Sequence, residues 1–253
     1  MLLEGKTAII TGAASLKGIG WATARVFAEQ GARVALIDLD QHRTELAAAE
    51  LPAHSTGAHL ALACDVRDPQ QCRQAVEQAL AAFGQVDILI NNAGVSQPYR
   101  LMDSSEDDYE LVMDVSLRGA FNMSRALVPH LRERRSGAIV CMGSVAAQRG
   151  GGILGGPHYA AAKGGVQALA KAMARELAAD SIRVNAIAPG LVDTELLIGK
   201  LTDQGRAAAV IGTPLGRLAL PADIANACLL LASDLSSYVT GVVLDVNGGL
   251  HIH

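Results

Sequence analysis

The chain has 253 residues, half of them hydrophobic and only 3% aromatic, with a formal net charge of −4. That length allows one large α/β domain or two small domains, and a core of Ala, Val, Leu and Ile suits a parallel sheet covered on both faces. The weak, dispersed charge argues against nucleic-acid binding, no apolar run approaches the ~20 residues of a membrane span, and the scattered Cys64, Cys72, Cys141 and Cys228 form no C-x-x-C pair and suggest no metal.

From the N-terminus, Met1–Lys6 leads straight into a strand-like run and lacks the basic and long apolar segments of a signal peptide. With cysteines expected to be free and buried, this predicts a cytoplasmic protein. Short β-branched runs predict strands at residues 7–11, 33–38, 60–64, 86–90, 137–142, 182–187 and 242–246. Ala-rich periodic stretches predict helices at 20–30, 69–83, 120–134, 159–179 and 221–233. Alternation at this spacing predicts βαβ units with right-handed crossovers. The expected architecture is therefore α/β: a single-domain, doubly wound (Rossmann) seven-stranded parallel sheet over residues 1–253, with helices on both faces. Two segments break the rhythm, a glycine-rich loop at 150–157 and a lid region at 191–216. Long connections at the carboxyl ends of strands are where such a fold keeps its ligand.

The first strand runs into Thr11-Gly12-Ala13-Ala14-Ser15-Leu16-Lys17-Gly18-Ile19-Gly20. Small residues here let a pyrophosphate approach backbone N–H groups at a helix N-terminus; the plainer reading is a tight turn. Asp38 closes the second strand, placed to accept hydrogen bonds from adenosine ribose hydroxyls and to repel a 2′-phosphate. Lys17 argues the opposite way, as a cation for that phosphate, but a strand end places Asp38 more firmly. NAD is therefore expected over NADP; the plainer role of Asp38 is a turn or cap before the helix that Asp40 and Gln41 open. Asp65-Val66 after the third strand can meet adenine, and Asn92-Ala93-Gly94 after the fourth allow close approach of a ribose, though both also fit ordinary turn chemistry. The basic cluster Arg132, Arg134 and Arg135 reads as a solvated helix end.

Ser144 follows the fifth strand, placed to hold and polarise a substrate oxygen. Tyr159-Ala160-Ala161-Ala162-Lys163 puts Tyr and Lys one helical turn apart on one face. A free Tyr titrates near 10, and a close ammonium is expected to bring it toward roughly 7–8, where it can exchange a proton with a carbinol or carbonyl. An amphipathic helix carrying an incidental Tyr and Lys is the plainer reading. After the sixth strand, Pro189-Gly190-Leu191-Val192-Asp193-Thr194 offers backbone and hydroxyl groups for a carboxamide.

Together these motifs resemble the short-chain dehydrogenase/reductase family, in its branch of about 250 residues, the length of this chain. The resemblance spans nearly the whole chain, from Gly12, Gly18 and Gly20 through Asn91-Asn92-Ala93-Gly94, Ser144, Tyr159, Lys163 and Pro189-Gly190 to Asn247-Gly248-Gly249. It implies that Tyr159 is the general acid/base, that Lys163 lowers its pKa and holds the nicotinamide ribose, and that Ser144 positions the substrate oxygen. It implies further that Val192 and Thr194 fix the carboxamide, with Gly12, Ser15, Lys17, Gly18, Ile19, Asp38, Asp65, Val66, Asn92, Ala93, Gly94, Pro189 and Gly190 completing the cofactor site. A homotetramer packed through the helix near 120–134 and the one starting at Tyr159 is also implied. The chain departs from the family twice. Five residues rather than three separate Gly12 from Gly18, so the loop is expected to bulge around Ser15-Leu16-Lys17. Ser116, in Val115-Ser116-Leu117-Arg118-Gly119, replaces an Asn that supports a helix kink behind the Lys, which implies a modified proton relay.

The expected activity is NAD-dependent interconversion of a secondary alcohol and a ketone, with Val145, Gln97 and His158 beside Ser144 as candidate substrate contacts. Alternatives are an NADPH-dependent 3-oxoacyl-thioester reductase of the acyl-carrier-protein type and a non-catalytic cofactor-binding regulator. The expected partner is a small alcohol or carbonyl compound, not a nucleic acid or a membrane.

Overall fold

A computed structural model describes residues 1–55, 57–152, 155–197 and 201–252. Two residues of the glycine-rich loop (153 and 154), three of the lid region (198–200) and His253 lie outside the described residues.

Seven strands form one all-parallel sheet: β1 (Thr7–Thr11), β2 (Arg33–Asp38), β3 (Leu60–Ala63), β4 (Ile88–Asn91), β5 (Gly137–Met142), β6 (Ile182–Pro189) and β7 (Val243–Val246), in the order β3-β2-β1-β4-β5-β6-β7. The helices are α1 (Ile19–Glu29), α2 (Gln41–Ala49), α3 (Pro69–Phe83), α4 (Glu106–Met113), α5 (Gly119–Arg134), α6 (Ala146–Arg149), α7 (Pro157–Leu177), α8 (Asp203–Ile211) and α9 (Pro221–Ala232). Successive strand residues point to opposite faces, and both faces are covered. Ile9, Ile37, Leu89, Ile139 and Val184 pack with α3, α5 and α7; Ala8, Ile10, Leu36, Ile90 and Val140 pack with α1 and α9. This explains why the strands read as unbroken apolar runs rather than alternating ones.

Several ends differ from expectation for physical reasons. β4 starts at Ile88, two residues late, because the Asp87 side chain takes the Thr7 N–H at 2.9 Å and the Val86 N–H goes to His130. β6 continues to Pro189, because β7 pairs with it up to Val246 and Val145 donates to the Pro189 carbonyl at 3.0 Å. α7 begins at Pro157, whose missing N–H costs nothing in a first helical turn. Among the described residues, three helices lie outside the predicted set. α4 starts at a reciprocal Ser105–Asp108 capping box, α6 is a single turn after Ser144, and α8 is capped by Thr202 inside the lid region.

The winding direction reverses between β1 and β4. Their carboxyl ends therefore open a crevice, the place where doubly wound sheets bind ligands.

Candidate active site

A cleft of about 500 Å³ lies over that switch point. One wall is the turn between β1 and α1. Gly12 has φ +66°, a Cβ on it would come within 2.9 Å of Ala93 Cα, and one on Gly20 would run into the Gly12 carbonyl. The two extra loop residues are absorbed by a turn in which Gly18 N–H donates to the Ser15 carbonyl at 2.8 Å, leaving Leu16 and Lys17 in solvent. α1 is preceded by Gly18 at its cap position, with no side-chain cap and no acidic residue in its first turn. Its free N–H groups and positive dipole end thus face the cleft, which suits a pyrophosphate.

Asp38 lines the same cleft and also braces it, accepting from Ala14 N–H at 3.0 Å and Leu39 N–H at 2.8 Å. Asn92 ties β4 to β1: its amide donates to the Thr11 and Gly12 carbonyls, both at 2.9 Å, while Thr11 Oγ1 accepts from the Asn92 and Ala93 N–H groups. Ser15, Gly18, Ile19, Gly94, Pro189, Gly190, Val192 and Thr194 complete this half. The strip carrying Val192 is pinned to Ala219 by a short bridge, with Asp193 N–H donating to the Ala219 carbonyl at 2.8 Å.

At the chemical end, Ser144, Tyr159 and Lys163 converge with Met142, Gly143, Val95 and Ser96. Ser144 Oγ accepts from Ala146 N–H at 3.1 Å and shares the cleft with Tyr159. Lys163 is 4% exposed, and its Nζ donates to the Met142 carbonyl at 2.7 Å. It stands 5.9 Å from the centre of the Tyr159 ring. Burial pushes the Lys163 ammonium down to about 8. Burial pushes the Tyr159 phenol up, and the Ser144 hydroxyl partly offsets this. The expectation that Lys163 draws Tyr159 toward neutral is thus corrected: the ammonium is turned to a backbone carbonyl, and desolvation of the phenolate dominates.

Behind Lys163, residues Asp114–Arg118 form a π turn between α4 and α5. Such inserted turns occur often at functional sites. Ser116 lies in it, 2% exposed, with a hydroxyl that has no hydrogen-bond partner among the described residues. A Cβ on Gly94 would come within 3.2 Å of Lys163 Nζ and 3.4 Å of Ser116 Oγ, so both groups crowd one small space under the cleft. The kink persists here with Ser in place of Asn.

Other expected residues lie elsewhere. Asp65 is held by Arg67 through a bidentate ion pair, and Val66 packs against Gly119 while its carbonyl takes the Asn122 amide. Neither lines the cleft, nor does Ala93, which packs on the core. Lys17 stands near Asp193 rather than in the cleft. Val145 is buried behind Ser144, its N–H spent on Pro189. Gln97 donates to Asp108 at 2.7 Å, and its carbonyl accepts the Gly156 N–H at 2.9 Å. His158, 5% exposed, is turned toward Ser104 in a separate hollow with Tyr109 and Leu101. Consecutive helical residues diverge by about 100°, so His158 cannot share the face of Tyr159. Gln97 and His158 therefore shape the loop beside the cleft instead of lining it.

Sequence reasoning missed Arg43 and Glu195. Both line the cleft beside Ser15 and Asp38; Ser15 donates to Glu195 at 2.8 Å, and Arg43 lies 3.7 Å from the same carboxylate oxygen. No linear pattern signals a contact across 180 residues.

A family model described as Enoyl-(Acyl carrier protein) reductase matches residues 12–251. The chain is 53% identical, over all of both chains, to an uncharacterized short-chain type dehydrogenase/reductase of Sinorhizobium fredii. It is 40% identical, again over both whole chains, to the 3-oxoacyl-(acyl-carrier-protein) reductase FabG of Thermotoga maritima. Among solved structures it superposes on a 3-ketoacyl-(acyl-carrier-protein) reductase of Brucella melitensis complexed with NADH, with TM-score 0.89 and 38% identity over 99% of this chain and 100% of that one.

Proposed function

The chain belongs to the short-chain dehydrogenase/reductase family and is an oxidoreductase acting on CH–OH and keto groups; on that premise we propose that it uses NAD(H) and a secondary alcohol or ketone, with Tyr159 as general acid/base. The observation that carries the proposal is the convergence of Ser144, Tyr159 and the buried Lys163 on one cleft. Ser144 holds the substrate oxygen and Tyr159 gives it a proton during carbonyl reduction. Lys163 supplies a desolvated positive charge beneath them. The open N-terminus of α1, the Gly12–Gly20 turn, Asp38, Asn92, Gly94, Pro189, Gly190, Val192 and Thr194 hold the dinucleotide. When bound, that cofactor supplies or accepts the hydride.

Asp38 supports NAD over NADP, because a carboxylate at the end of β2 accepts from ribose hydroxyls and repels a 2′-phosphate. The NADH complex of the similar Brucella melitensis reductase supports the same choice. No helix among the described residues is long and apolar enough to cross a membrane, and the four cysteines are free and buried; we place the enzyme in the cytoplasm. A homotetramer packed through α5 and α7 is the proposed assembly, supported by Phe121 standing exposed on α5. Reduction of a 3-oxoacyl thioester is a second reading, favoured by the likeness to two reductases named for that reaction.

A turnover screen of secondary alcohols, ketones and 3-oxoacyl thioesters with NADH and NADPH tests these points. Activity with NADH on the first two classes is expected. Exclusive use of NADPH with the thioesters selects the second reading.

A further inference from the structure

Glu195 sits where an anion would be bound. Its Oε2 accepts from Ser15 Oγ at 2.8 Å, and Arg43 Nη2 lies 3.7 Å from the same oxygen. Ser15 belongs to the glycine turn, Arg43 to the first turn of α2 directly after β2, and Glu195 to the short helical turn Glu195–Leu197 that follows β6. All three line the cleft together with Asp38, whose carboxylate accepts the N–H of Ala14, the residue preceding Ser15. A hydroxyl and a guanidinium converging on one oxygen form a receptor for a carboxylate or a phosphate. Its place is beside Asp38, the group assigned to the adenosine ribose.

We propose that Ser15 and Arg43 form a latent subsite for a ribose 2′-phosphate, and that Glu195 occupies it with an internal carboxylate and so disfavours NADP(H). This deepens the NAD assignment and rests on the reading that Asp38 meets the adenosine ribose. Glu195 neutralises Arg43 and repels a second anion. Asp38 and Asp40 remain as further carboxylates in the cleft, so removing the Glu195 charge narrows the discrimination without inverting it. Lys17 is not part of the receptor; it stands near Asp193.

The test is calorimetric titration of the full chain with NADH and NADPH, comparing wild type, Glu195→Gln, and Glu195→Gln combined with Arg43→Ala. Gln keeps the size of the side chain and an acceptor for Ser15, so only the charge is removed. The NADPH-to-NADH affinity ratio is expected to rise about fivefold in Glu195→Gln, the size of one exposed charge contact, and to fall back when Arg43 is also lost. The gain should shrink as salt is raised. An unchanged ratio overturns the proposal. So does an equal gain for both cofactors, which would place the Ser15–Arg43 pair at the shared pyrophosphate. A wild type that prefers NADPH would overturn the NAD assignment instead, while the shift between wild type and variant would still decide the role of Glu195.

Discussion

Tyr159 and Lys163 share a helical face, but their electrostatics are set by burial. Burial holds the Tyr159 proton in place, and Tyr159 is thereby poised as an acid for carbonyl reduction. Tyr159→Phe should lower kcat by about 10²–10⁴-fold, the usual worth of a positioned general acid, while NADH still binds. Lys163 loses its charge near pH 8, well below the ordinary 10.5 of a lysine. The ammonium form is favoured below that value, so the kcat of ketone reduction should fall as pH rises through about 8. Lys163→Met should lower kcat and abolish that inflection in the pH profile. Ser116 has a buried hydroxyl next to Lys163 without a partner among the described residues, a placement that motivates a role in proton supply. Ser116→Asn should move the same inflection; an unmoved profile would show that this position does not limit the relay.

At the scale of elements, β1, β2, β5 and α3 follow their sequence runs residue for residue, because continuous aliphatic strands and a Pro-opened helix leave little competition. What remained hidden depends on partners distant in sequence. The π turn Asp114–Arg118 has no periodicity signature, and the helix that leads into it starts at a Ser105–Asp108 capping box outside the predicted set. Lys163's acceptor is a backbone carbonyl, which no residue type reveals. Gln97 and His158 looked like substrate contacts because they neighbour motif residues in sequence; helix rotation and the pull of Asp108 and Ser104 turn them away. The glycine turn was legible in its residue types, and its geometry makes a firm demand. A methyl group at Gly20 would meet the Gly12 carbonyl. Gly20→Ala should therefore cost about 1–3 kcal/mol in urea unfolding and weaken NADH binding in the same preparation.

Across the whole molecule, chemistry and stability occupy opposite ends of the sheet. The carboxyl ends of β1, β4, β5 and β6 carry the cleft, while the amino ends carry a buried ion pair. Asp87 is 4% exposed, bonded by Thr7 and by Arg134 at 2.8 Å. Arg134→Ala leaves that buried carboxylate bonded by Thr7 but without its counter-charge, and should lower stability by roughly 1–3 kcal/mol, read as a lower urea midpoint with kcat/KM unchanged. Fold-level likeness establishes an oxidoreductase, yet the function resides in the site that the fold carries. The most direct test of that site is a paired measurement on wild type and Tyr159→Phe: NADH affinity by calorimetry and single-turnover reduction of an accepted ketone. The expected result is affinities that agree within about threefold and a turnover loss of at least about 100-fold. Turnover retained by Tyr159→Phe, with affinity intact, would contradict it.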